Sequence, residues 1–338
     1  MQTRLSQHLG IEHPLFNAGI GAAAGADLAA AVCNAGAGGV LGTAALPARF
    51  VRDEIRRLRT LTAKPFGVNL VLPILRRGQF EACLEERVRF VVLFWGEADA
   101  YTRHIEAAHR EGVEVHVQVG SVAEARIAAA CGADALIVQG FEAGGHVRGH
   151  VALTVLLPTV VDTVAPIPVI AAGGIADGRG LVAALALGAQ GVAMGTRFLA
   201  SDEANASAHH KHRVTTAMAE DAVHTTLFDA GWAAPHRVLR NVAMARWEAA
   251  GRPVSGQRPG EGESVGAMAS AGTHVEVPAY SAYVPERGLD EQQAEQMALY
   301  AGQSCALVDA VLPAARIVER VMREAAEAVE RLGGLRGA

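Results

Sequence analysis

The chain has 338 residues, 51% hydrophobic and 19% charged, with a formal net charge of −5. That size allows one large barrel or two ordinary domains, and the apolar content excludes a disordered chain. A negative balance with no basic run gives no electrostatic footprint for nucleic acid or an anionic membrane, so a small molecule is the expected partner.

Residues 1–13 lack the apolar core of a signal peptide, and glycine, proline or charge interrupts every apolar run before it reaches the length of a membrane span. From Pro14 to about Met194 short apolar runs alternate with longer amphipathic, alanine-rich segments, the pattern of repeated βα units around a parallel sheet. Strands are predicted over 15–20, 39–41, 66–70, 90–95, 113–119, 135–138, 169–172 and 191–194. Helices are predicted between them over 27–35, 48–61, 79–87, 100–110, 122–131, 154–164 and 178–187. Eight strands so spaced imply an α/β chain folded as a (β/α)8 TIM barrel, with its chemistry on the loops after the strands. The rival, a doubly wound open sheet, would want a GxGxxG turn after its first strand, and Gly19, Gly21 and Gly25 do not fit that spacing.

After Thr196 the βα rhythm stops. Residues 201–287 contain the HHKH segment at 209–212, a predicted helix over 234–249 and a Gly/Pro/Ser-rich stretch over 251–272. They read as an appended, substrate-side region covering one face of the barrel formed by residues 1–200. Residues 288–338, with a helix-rich tail over 291–332, are expected to pack back on that barrel. His209, His210 and His212 have no carboxylate or cysteine support and read as solvated, so no metal is expected. Cys33, Cys83, Cys131 and Cys305 lie far apart with no CxxC pair, as expected of buried thiols in a reducing cytoplasm.

The segment Gln139-Gly140-Phe141-Glu142-Ala143-Gly144-Gly145-His146 follows the sixth predicted strand. Its glycines let the backbone approach a ligand, and a histidine can exchange a proton near neutral pH. In isolation the same residues make a tight turn with a solvated histidine; the barrel around them favours a site. The loops after the seventh and eighth strands, Ala172-Gly173-Gly174-Ile175 and Gly195-Thr196-Arg197, stand where barrels commonly bind a phosphate through backbone N–H groups. Asn69 and Gln139 offer amides to a heteroaromatic ring or, equally, to a loop backbone. Trp95 either lines the pocket or fills the barrel mouth, and Glu142 either takes part in the chemistry or holds its own loop.

KPFGVNL at 64–70, QVGSVAEA at 118–125, QGFEAGGH at 139–146, PVIAAGGIADGRG at 168–180, MGTRFL at 194–199, PAYSAYVP at 278–285 and LYAGQS at 299–304 together resemble the nitronate monooxygenases, FMN-dependent (β/α)8 enzymes. The resemblance implies FMN held by Ala18, Asn69, Gln118, Gln139, Gly144, Gly145, Gly173, Gly174, Ala193, Met194, Gly195 and Thr196, with His146 as the catalytic base. It also implies oxidation of alkyl nitronates or nitroalkanes by O2 to carbonyl compounds and nitrite, a detoxifying activity. The implied partners are the small-molecule substrate and O2, with a homo-oligomer as an open alternative. Flavin-dependent enoyl-ACP reductases and NAD(P)H:quinone reductases share the barrel, the flavin and the histidine, and are the alternative function. Three departures stand out: Ala18-Gly19-Ile20 replaces the usual Ala-Pro-Met, Ala193 replaces a common glutamine, and the Arg148-Gly149 pair is displaced after His146.

Overall fold

Short runs of Val, Leu, Ile and Ala form a nearly closed parallel barrel in the computed structural model, which describes residues 1–270 and 273–335. In chain order the first nine strands are β1 (Leu15–Asn17), β2 (Gly39–Gly42), β3 (Phe66–Val71), β4 (Phe90–Phe94), β5 (Glu114–Val119), β6 (Ala135–Gln139), β7 (Gly145–His146), β8 (Val169–Ala172) and β9 (Gly191–Met194). All but β7 belong to the barrel, hydrogen-bonded in the order β1-β9-β8-β6-β5-β4-β3-β2. The seam between β1 and β2 is closed by one parallel bridge, Phe16 to Gly38, and by the side chain of Asn17. Its Nδ2 donates to the Val40 carbonyl at 2.7 Å and its Oδ1 accepts the Val40 N–H at 2.9 Å, replacing a rung of the ladder.

Barrel strands are buried on both faces, which explains their unbroken apolar runs. Outward residues such as Val68, Val91, Val117 and Leu136 meet the helices, while Phe16, Val40, Phe90, Ile137 and Ile170 fill the barrel interior. The helix Ala48–Leu61 buries Val51, Ile55 and Leu58, one face of a 3.6-residue period. The long helix Ala314–Gly334 buries Ile317, Val318, Val321, Ala325 and Ala328, and packs against Gly178–Ala186. A Cβ on Gly178 would lie 2.1 Å from the Ala325 nitrogen, so the two helices touch through that glycine. No helix of the described residues is long and apolar enough to cross a membrane.

Residues after the barrel build a cap. Strands β10 (Ala222–Thr225) and β11 (His236–Leu239) form an antiparallel sheet with β7, in the order β10-β11-β7. The helix predicted over 234–249 is therefore corrected to a strand followed by the shorter helix Val242–Ala249. Asn241 separates the two by capping that helix, accepting the Met244 N–H at 3.0 Å.

Of the HHKH histidines, His212 is exposed as expected, and the reading of His209 and His210 is corrected. The segment lies on the helix Ala208–Thr216, capped by Ser207, whose period turns His210 and Val214 inward. His210 is fully buried, with Nε2 at 3.0 Å from the Tyr300 carbonyl, and His209 Nε2 is 2.7 Å from Glu295. The Gly-rich stretch carries strand β12 (Ser264–Ser270), paired with β13 (Thr273–Pro278). Residues 271–272 of that stretch and 336–338 of the tail lie outside the described residues.

Candidate active site

The C-terminal ends of the barrel strands surround a cavity of about 910 Å³. Ala18, Asn69, Gln118, Gln139 and Ala193 line it from the strands, and Gly144, Gly145, His146, Gly173, Gly174, Gly195 and Thr196 line it from the loops. Met194 is the exception. Its side chain is buried in the layer between strands and helices, and its carbonyl accepts the N–H of the lining residue Ala18 at 3.0 Å. Alternation along β9 sends Ala193 inward and Met194 outward.

His146 stands in an aromatic enclosure. Its ring stacks on Trp232 at 3.8 Å between centroids, with Tyr300 and His236 each at 5.5 Å. Its Nε2 is sealed from solvent and has no hydrogen-bond partner among the described residues. Burial, followed by the neighbouring His236, lowers its pKa to about 3, so the imidazole is neutral. His236 is fully buried and also neutral, lowered to about 4 chiefly by burial. Its Nδ1 lies 2.9 Å from the Ala234 carbonyl and its Nε2 accepts the Phe228 N–H at 3.2 Å, a pair of contacts that fixes the tautomer.

The loop that delivers His146 is held from below and from the side. Arg237, 3% exposed, donates to the carbonyls of Phe141 at 2.6 Å, Ala143 at 3.1 Å and Ala222 at 3.1 Å, and lies over the Phe141 ring. Glu142 accepts the Leu153 N–H with both oxygens, at 3.1 and 3.0 Å, so it holds its own loop. Gln139 donates to the His146 carbonyl at 2.9 Å and accepts the Arg148 N–H at 3.4 Å, so its amide is engaged by the loop backbone. Gly144 has a packing role: a Cβ there would lie 2.2 Å from the Gly302 nitrogen. The segment 299–304 thereby docks on the loop, tied by Gly302 N–H to Thr196 Oγ1 at 2.9 Å and by Gln303 N–H to the Glu142 carbonyl at 3.0 Å.

Gly173 and Gly174 have φ of +98° and +71°, a left-handed backbone that side chains disfavour. Gly145 is also left-handed, and a Cβ added to it would meet only open space. Gly19 accommodates Asn69, whose Cβ would be 2.3 Å from any Cβ at Gly19; that contact accounts for a glycine in the Ala18-Gly19-Ile20 departure. Gly149 packs on Gly120, its notional Cβ 2.0 Å from the Gly120 carbonyl oxygen, while Arg148 pairs with Glu97 at 2.9 Å and with Glu124. Trp95 lies edge-on to Trp232 at 5.1 Å and to His146 at 6.4 Å, backing the aromatic wall.

A family model described as nitronate monooxygenase matches residues 2–79 and 76–324. The chain belongs to the nitronate monooxygenase family. Within that family's reach are relatives of differing stated activity. The chain is 42% identical over 255 residues to the (3aS,4S,5R,7aS)-5-hydroxy-7a-methyl-1-oxo-octahydro-1H-indene-4-carboxyl-CoA dehydrogenase of Mycobacterium tuberculosis, covering 75% of this chain and 70% of the relative. It is 34% identical over 275 residues to a probable nitronate monooxygenase of Staphylococcus aureus, covering 67% of this chain and 76% of the relative. Among solved structures it is similar to FabK from Thermotoga maritima, with a TM-score of 0.83 and 35% identity over 99% of each chain. These matches make the nitronate monooxygenase family member an oxidoreductase; they do not agree on one substrate.

Arg237, Trp232, His236 and Tyr300 escape sequence reasoning. Trp232 and His236 lie outside every quoted motif, and Tyr300 falls inside LYAGQS with no chemical signal of its own.

Proposed function

We propose that the protein is an FMN-dependent oxidoreductase in which His146 takes the proton from a carbon made acidic by a neighbouring electron-withdrawing group. The observation that carries this reading is a neutral imidazole with a buried, partnerless Nε2 at the wall of a cavity large enough for a cofactor and a substrate. Ligand sites typically span about 300–1,000 Å³, and this one lies near the upper end.

The residues fit FMN. Left-handed Gly173 and Gly174, beside Gly195 and Thr196 on the next strand's loop, supply a backbone cradle suited to a phosphate. Asn69, Gln118 and the backbone at Ala18 and Ala193 stand at strand ends suited to the edge of a flat heteroaromatic ring. FMN held by these residues would supply a two-electron acceptor that oxygen can reoxidise. His146 accepts the α-proton of a nitroalkane, and the imidazolium so formed is compensated by the substrate anion beside it, offsetting the burial that otherwise disfavours charge. Trp232 holds the imidazole plane, and Gln139 fixes the backbone that carries it. With a preformed nitronate the proton transfer is unnecessary. Nitronate oxidation to a carbonyl compound and nitrite is supported by the family membership.

A second reading replaces the nitro group with a thioester, and the 42% identity to a carboxyl-CoA dehydrogenase favours it. The proton chemistry at His146 is the same, because a thioester also acidifies its α-carbon. Anaerobic mixing of the flavin-loaded protein with propionate 3-nitronate and, separately, with NADH or NADPH tests the leading reading. Fast bleaching by nitronate and sluggish bleaching by nicotinamide is the expected result. Fast bleaching by nicotinamide with no nitrite from any nitronate would replace it with the reductase alternative.

A further inference from the structure

Strand β5 turns a polar face into the barrel. Alternation sends Val115, Val117 and Val119 to the layer under the helices and Glu114, His116 and Gln118 inward, where the flanking strands put Phe90, Val92 and Ile137. Gln118 and His116 both line the cavity, His116 about 7 Å deeper, at two residues' rise along the strand. His116 is fully buried and stacks on Phe90 at 4.3 Å between ring centroids. Neither of its nitrogens has a hydrogen-bond partner among the described residues. Its Nε2 is 3.8 Å from the Glu114 carboxylate, within ion-pair range but beyond a hydrogen bond.

Glu114 leads to the opposite end of the barrel. It is the first residue of β5, and its carboxylate meets His8 Nε2 at 2.7 Å and Arg89 at 2.6 Å. Burial raises the pKa of this carboxyl, but the contacts with His116, His8 and Arg89 outweigh it and bring it down to about 2, so the group is ionised. On the strands beside His116 the ladder partners are Val92 and Ala135, and Asp134 next to the latter is engaged by His109 and the Val115 N–H. The charge that His116 faces is therefore Glu114, with Arg89 and His8 behind it.

An apolar side chain would fill the place beside Phe90 without the desolvation cost of an imidazole, so packing does not account for His116. What a histidine adds is a charge that changes near neutral pH. This one has a fixed carboxylate on one side and, on the other, the cavity whose strand ends at Asn69 and Gln118 suit a flavin ring. Inside a barrel, where little water screens it, a charge at such a distance acts strongly on a redox group. We propose that His116 compensates the charge of the reduced flavin: as the ring takes up an electron pair, the imidazole takes up a proton from solvent, which favours reduction below neutral pH. This inference rests on the flavin reading above and assigns that site a residue that tunes its potential.

The test measures an equilibrium and requires no turnover. The midpoint potential of the bound flavin is read by dithionite titration against a reference dye from pH 5.5 to 8.5, in the wild type, His116→Phe, His116→Gln and Glu114→Gln. Circular dichroism and flavin content report that each variant is folded and loaded, and either His116 variant alone suffices. At pH 5.5 both should be harder to reduce than the wild type by about tenfold or more in the reduction equilibrium, about 30 mV for a two-electron couple. That gap should close as the pH rises through the range in which histidine loses its proton. Glu114→Gln removes the carboxylate that favours the imidazolium, so its potential should part from the His116 variants only at lower pH than the wild type does. A smaller gap, a gap that does not change with pH, or a Glu114→Gln curve identical to the wild type would each overturn the inference. Reduced stability of the His116 variants with wild-type potentials would also overturn it and leave a structural ion pair. A wild-type protein that holds no FMN would instead defeat the flavin reading, and the inference with it.

Discussion

Replacing Arg237 with Met separates the support of the site from its chemistry. The guanidinium is 3% exposed, has no carboxylate in ion-pair range among the described residues, and is solvated instead by three carbonyls, two of them in the loop that delivers His146. Burial lowers its pKa, opposed only by the charge of Glu142. Met fills the space of the apolar stem but leaves the carbonyls of Phe141, Ala143 and Ala222 without their charged donor, and each such loss costs about 1.5–3 kcal/mol. The desolvation of the buried charge is recovered at the same time, which offsets several kcal/mol of that loss. A net destabilisation of about 2–4 kcal/mol follows, at the lower end of what breaking a buried charged network costs. Urea unfolding followed by circular dichroism measures it, and the flavin content of the purified variant reports the loop. Arg237→Lys, with one compact ammonium in place of a fork, should recover only part of the loss. A change below about 1 kcal/mol with wild-type flavin content would refute the assignment of Arg237 as the loop's anchor.

Buried neutral histidines should make the fold acid-sensitive. His210 and His236 are both lowered to about 4, so the unfolded chain takes up their protons first as pH falls below 6.5. Stability present above pH 6.5 is then lost down to about pH 4, by roughly 3 kcal/mol for each group. His210→Gln, which keeps a donor for the Tyr300 carbonyl, should flatten that dependence in urea unfolding between pH 4 and 6.5; an unchanged slope would be the contrary result. Gly144→Ala should lift segment 299–304 from the site, because the new Cβ meets backbone at 2.2 Å, and cost about 1–3 kcal/mol. Limited proteolysis within that segment and a lower melting temperature are the measurements, and wild-type values of both would contradict the docking role.

The barrel was legible because its signal is repetitive. Each βα unit carries its own apolar run and amphipathic partner, and β8 and β9 match their predicted limits. The first strand reads three residues too long, since Ala18, Gly19 and Ile20 are apolar but turn away to let Asn69 pack. The strand at the start of the helix predicted over 234–249 is hidden in the sequence because its pairing is non-local. The segment around His236 has helical composition up to Ala249, yet its backbone is satisfied by β10 and by β7 more than 80 residues earlier in the chain. The same non-local contacts hide the enclosure of His146. A glycine-rich loop announces a histidine, but no spacing announces the Trp232 that stacks on it or the Arg237 that anchors its loop. Gly144 lines the cavity and also packs on the Gly302 backbone, a second role that only the folded strap reveals.

Proton transfer by His146 is tested by His146→Asn assayed on a neutral nitroalkane and on its preformed nitronate at the same pH. Removing a general base costs on the order of 10²–10⁴ in rate, and only the neutral substrate needs that base. The predicted result is a loss of that order for the nitroalkane, nearly wild-type oxidation of the nitronate, and full flavin content in the variant. Equal loss on both substrates would contradict the claim and leave His146 as a group that binds or positions.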